Sequence, residues 1–103
     1  MTEEEMNLSE CRKKIDSIDT EILSLLNRRA EVAKYVGLLK ARAGLRIIDH
    51  EREAMILQKV SRENPGELCD DAAARIYQQI LRESRQIQIE VRANLARNGE
   101  LSK

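Results

Sequence analysis

The chain has 103 residues, 18 basic against 18 acidic side chains, 2% aromatics and 35% charged residues. That is the length of one domain with one modest aliphatic core, and the charge content fits long helices with wide solvated faces. Zero net charge argues against general nucleic-acid binding, which rewards a basic excess, and two cysteines beside a single histidine, His50, offer no structural zinc site.

Residues 1–7 read as a flexible acidic tail. They open Met-Thr-Glu-Glu-Glu, unlike a positively charged apolar leader, and no apolar run approaches membrane-spanning length. The expectation is a soluble cytoplasmic chain with Cys11 and Cys69 reduced. From residue 8 onward Leu8, Cys11, Ile15, Ile18, Ile22, Leu25, Val32, Val36 and Leu39 recur at steps of three and four, the apolar seam of a long helix. Ser9 is its expected cap. It runs to about Ala43 with no Pro and a single Gly, Gly37. At ~1.5 Å per residue such a helix is on the order of 50 Å long, whereas a compact domain of this size has a radius of gyration of ~13 Å. The shorter helices of one protomer cannot cover that seam, so an intertwined homodimer is expected.

Ala43-Gly44-Leu45-Arg46 reads as a turn. A short second helix starts near Asp49, which with Glu51 favours its N-terminus, and runs to about Glu63. Asn64-Pro65-Gly66 is a stop. Asp70 or Asp71 is the expected cap of a third helix reaching about Arg97, with the seam Ala73, Tyr77, Ile80, Ser84, Ile87 and Val91. Asn98-Gly99 ends it, and residues 99–103 read as a flexible tail. The fold class is all-α: a three-helix protomer, long, short, long, with its domain over residues 8–98.

Several polar residues break these apolar faces. Arg29 falls where the seam of the first helix calls for an apolar residue, and burying an unpaired guanidinium is very costly. Lys40 returns to nearly the same side of the helix about three turns later, and Arg12 borders the seam about a quarter turn away. Ser84 interrupts the seam of the third helix, with Gln88 one turn on, and Arg52 and Glu53 sit one turn before Ile56 and Leu57. Each alone has an ordinary explanation. Arg12 and Lys40 snorkel, Arg29 pairs with Glu53 or another carboxylate, and Ser84 bonds its own preceding turn. Gln88 is a surface amide, and Arg52 and Glu53 are helix-surface charges. Together they put cations, an amide, a hydroxyl and a carboxylate toward the inside of a small helical bundle, where binding sites form between facing helices. Cations in excess suit a small polyanion, and arginine matches a carboxylate with two donors. With no Ser-His-Asp set or Cys-His pair, catalysis here would work by positioning and electrostatics.

The segments Arg12-Lys-Lys-Ile-Asp-Ser-Ile-Asp19, Leu25-Leu-Asn-Arg-Arg29, Val36-Gly-Leu-Leu-Lys40, Asp49-His-Glu-Arg-Glu53 and Glu83-Ser-Arg-Gln-Ile-Gln88 closely resemble the all-helical (type II) chorismate mutases. The resemblance spans roughly residues 8–92 and fixes spacing across three helices. It implies an intertwined dimer that converts chorismate to prephenate by Claisen rearrangement, in phenylalanine and tyrosine biosynthesis on the shikimate pathway, without cofactor or metal. By resemblance Arg29, with Arg12 from the other protomer, clamps the two substrate carboxylates. Lys40 donates to the ether oxygen and a carboxylate, and Gln88 donates to the ether oxygen from the opposite side. Glu53 accepts from the ring hydroxyl beside the Asp49 backbone, Ser84 assists a carboxylate, and Arg52 supports the wall. An isochorismate pyruvate lyase of the same fold and a non-catalytic helical dimerisation or regulatory module are the competing readings. The mutase-like set, with Glu53, Lys40, Gln88 and both arginines present, favours the mutase. Whether such a domain stands alone or was fused to a further enzyme of the pathway is open at this level.

Overall fold

A computed structural model describes residues 6–101, which form three helices: α1 (Leu8–Ala43), α2 (His50–Glu63) and α3 (Asp70–Arg97). Among the described residues there is no strand, and no helix is long and apolar enough to cross a membrane. The tails expected from sequence lie partly outside this range, at residues 1–5 and 102–103. The chain divides into two units, Met1–Glu31 and Val32–Lys103, and α1 contributes residues to both.

In the first unit α1 is capped by Asn7 rather than Ser9. The Asn7 Oδ1 accepts from the Glu10 N–H at 2.9 Å, and Ser9 is already inside the first turn. An asparagine just outside the helix reaches the third amide, which a serine within the turn cannot do. The predicted seam is present as a stripe, but the single chain leaves it open. Leu8, Ile15, Ile18, Ile22 and Leu25 are exposed, from 46% at Ile22 to 64% at Leu8.

In the second unit the packed line of α1 is not the predicted one. Val32 and Leu39 face outward and Val36 is half-buried, whereas Ala33 and Gly37 are buried. Small residues win because α3 comes so close. A Cβ placed on Gly37 would lie 3.0 Å from the Gln88 Cα and 3.3 Å from its Cβ and Cγ. On α3 the buried residues are Ala73, Leu81, Gln88 and Leu95. Of the predicted seam only Ala73 is buried. Ile80, Ser84, Ile87 and Val91 are half-buried, and Tyr77 is exposed. A helix that packs on α2 and also meets α1 at Gly37 buries a wider arc than one seam.

The connections fix how the elements meet. At the end of α1 the Leu45 N–H bonds to the Lys40 carbonyl at 2.8 Å and the Gly44 N–H to the Ala41 carbonyl at 3.2 Å, with Gly44 at φ 68°. This is a Schellman closure, which needs the left-handed residue that glycine supplies without a Cβ clash. The same closure ends α3, where Glu100 bonds back to Leu95 and Gly99 to Ala96, so residues 99 and 100 form the cap itself. Asp49 caps α2 as its position suggests, its side chain accepting from the Arg52 N–H at 3.0 Å. The cap of α3 is Cys69, not Asp70 or Asp71. Its Sγ accepts from the Ala72 N–H at 3.4 Å. Asp70 is engaged elsewhere, accepting from Asn64 Nδ2 at 2.9 Å and Ser61 Oγ at 3.4 Å, which ties the end of α2 to the start of α3.

Replacing Gly37 by valine forces methyl groups into the Gln88 backbone. Overpacking of this kind costs about 1–3 kcal/mol. Urea unfolding at fixed protein concentration should show that loss, and an unchanged midpoint would contradict the close approach.

Candidate functional site

The second unit assembles most of the polar residues singled out from the sequence. Gly37 against Gln88 sets the frame. Lys40 lies one helical turn beyond Gly37, on the same side of α1. Its Nζ donates to the Ile47 carbonyl at 2.7 Å, part-buried, so the ammonium is held on the α1–α2 loop instead of snorkelling into solvent. Gln88 is only 8% exposed, and its Oε1 is buried with no hydrogen-bond partner. It is therefore not the surface amide that its sequence context permits. An unpaired amide end in such a place costs about 1–3 kcal/mol, so the residue is not there for packing alone. Ser84 is half-buried one turn before Gln88 on α3.

The first turn of α2 supplies the acidic side. The Asp49 carbonyl accepts the Glu53 N–H at 3.0 Å while its carboxylate caps the helix. Arg52 is exposed and Glu53 half-buried. Glu53 is paired across the α2–α3 interface with Arg85, Nε to Oε2 3.6 Å. The α1–α2 loop is held from α3 as well, by Arg92 Nη2 donating to the Leu45 carbonyl at 2.5 Å. Of the remaining predicted residues, Arg12 and Arg29 belong to the first unit, Arg12 exposed and Arg29 half-buried on α1.

Gly37, Arg85 and Arg92 are the residues that sequence reasoning left without a role. Gly37 had a signal, being the single glycine inside α1. Arg85 and Arg92 had none, because their partners lie on other elements. No three His, Cys, Asp or Glu side chains are grouped as a metal ion requires among the described residues.

A buried amide, a fixed ammonium, a half-buried hydroxyl and a half-buried carboxylate on packed helices define an all-helical protein with polar groups withdrawn into its helical unit. Comparison with known proteins gives the family. Residues 11–89 match the family model described as chorismate mutase type II, and the chain belongs to that family. It is 45% identical over 78 residues, 72% of this chain, to a bifunctional chorismate mutase/prephenate dehydratase of Aquifex aeolicus, of which the match covers 22%. It is 45% identical over 53 residues to a chorismate mutase of Methanocaldococcus jannaschii, covering 52% of this chain and 54% of that protein. The chain thus spans about a fifth of the bifunctional relative and about half of the shorter one. Among solved structures, chorismate mutase from Helicobacter pylori in complex with prephenate aligns with a TM-score of 0.75 at 28% identity, covering 82% of this chain and 91% of that one.

Proposed function

We propose that the chain is a chorismate mutase acting in the biosynthesis of phenylalanine and tyrosine. The observation that carries this is the Gly37–Gln88 contact, which brings a buried carboxamide next to the turn that bears Lys40. In the Claisen rearrangement the ether C–O bond breaks ahead of C–C bond formation, so negative charge grows on the ether oxygen. Lys40 and Gln88 are the donors for that charge, and preorganised donors in a water-poor site are the strongest contribution such a site makes. Lys40 exchanges its Ile47 carbonyl for the substrate. Glu53 accepts from the ring hydroxyl beside the Asp49 backbone. Ser84 assists a carboxylate, and Arg52 supports the wall. Arg29 binds one substrate carboxylate, and Arg12 from a second copy binds the other, holding the flexible substrate in its reactive diaxial shape. These roles require neither cofactor nor metal. The expected compartment is the cytoplasm, where Cys11 and Cys69, both unpaired, stay reduced.

The second copy also answers the open stripe on α1. Each Leu or Ile that it fully buried would contribute about 1.5–3 kcal/mol, and a homodimer with one self-complementary interface covers both stripes at once.

Incubation with chorismate should yield prephenate, and Lys40→Ala should lower kcat/KM by ~10²–10³-fold with the fold intact by circular dichroism. Release of pyruvate from isochorismate instead would support the lyase, no reaction with either substrate would support a non-catalytic module, and near-normal turnover in the Lys40 variant would remove its role.

Arg12→Ala and Arg29→Ala proteins, each inactive, should regain part of the activity when refolded together, because each mixed dimer contains one intact site. Absence of complementation, or a stable monomer in sedimentation at micromolar concentration, would contradict the shared site.

A further inference from the structure

The Arg85–Glu53 pair is unlike an ordinary surface ion pair. Lys59 and Glu63, one turn apart on α2, are 3.7 Å apart with side chains 67% and 63% exposed, a geometry that water screens and that contributes little. Arg85 and Glu53 join two helices, with side chains only 30% and 22% exposed. At that exposure an opposite charge is screened less than at the open surface, and Arg85 is the cation beside Glu53.

The separation is informative too. At 3.6 Å the pair lies beyond hydrogen-bond distance. The guanidinium therefore compensates the charge of Glu53 without occupying the carboxylate lone pairs, which stay available to accept from a hydroxyl. Arg85 also directly follows Ser84 and precedes Gln88 by three residues, so its backbone is fixed by the same stretch of α3 that forms the site.

We infer that Arg85 is a positioning residue for substrate recognition: it holds Glu53 oriented across the α2–α3 interface as the acceptor for the ring hydroxyl. The inference rests on the chorismate reading of the pocket. It assigns Arg85 to discrimination for the hydroxyl, with the bond-breaking step left to Lys40 and Gln88.

The test compares wild type, Arg85→Leu, Arg85→Gln, Arg85→Lys and Glu53→Ala, with chorismate and with its analogue lacking the ring hydroxyl. A hydrogen bond to a charged acceptor corresponds to roughly a tenfold change in binding. Arg85→Leu and Arg85→Gln should each raise KM for chorismate about tenfold, with kcat changed far less. Arg85→Lys should restore most of the loss, and binding of the hydroxyl-free analogue should be unchanged. If Arg85→Leu does not fold, the neutral Arg85→Gln decides alone. An unchanged chorismate KM in the folded variants, or an equal loss for both compounds, overturns the inference. Failure of the wild type to convert chorismate would instead remove the functional reading. If Glu53→Ala weakens chorismate selectively while the Arg85 variants do not, only the role of Arg85 falls.

Discussion

The approach of α1 to α3 at Gly37 governs the geometry of the second unit. No side chain separates the two helices there, and a single added carbon would sit 3.0 Å from the Gln88 Cα. Gln88 is part of that contact. Lys40 follows Gly37 by one turn, and its carbonyl receives the Leu45 N–H that closes α1. The loop that begins with this closure is tied down by Lys40 at Ile47 and by Arg92 at Leu45. It then delivers Asp49 as the cap of α2, whose first turn bears Glu53. A chain of short-range constraints therefore runs from one missing Cβ to the first turn of α2.

The electrostatics follow the same local logic. The chain as a whole is neutral, so a polyanion is not drawn in by a general field. Lys40 is held in place by the Ile47 carbonyl, a neutral acceptor, whereas an anion would add full charge–charge attraction to the hydrogen bond. Glu53 is the opposite case, a charge already met by Arg85 at a distance that leaves its acceptor sites available. The second unit thus holds an ammonium donor, Lys40, and a carboxylate acceptor, Glu53, each fixed by a partner on another element.

The three helices and their ends were legible in the sequence because apolar periodicity, Asn64-Pro65-Gly66 and the glycines after α1 and α3 are local signals. Asp49 was legible as a cap for the same reason. Asn7 and Cys69 displaced the expected caps Ser9 and Asp70 or Asp71, since capping depends on which side chain stands just outside the first turn and on what else competes for it. Asp70 is claimed by Asn64 and Ser61. The stripe from Leu8 to Leu25 is apolar as its spacing indicates, but in the single chain it stays exposed. Periodicity reports that a face is apolar, not what covers it. Burial of Gln88 and pairing of Glu53 with Arg85 depend on contacts between helices, which no spacing along one helix encodes.

The most direct measurement is kcat for Gly37→Ala alone, for Gln88→Ala alone and for the two combined. Displacing Gln88 by a few tenths of an ångström should cost several-fold in rate when its amide is present, since a misplacement of about 1 Å can cost about 10²-fold. If Gly37 acts through Gln88, the same glycine substitution adds almost nothing once the amide is gone. Equal, additive losses in both backgrounds would show that Gly37 matters to the fold only, and would detach the site from the helix contact on which its geometry rests.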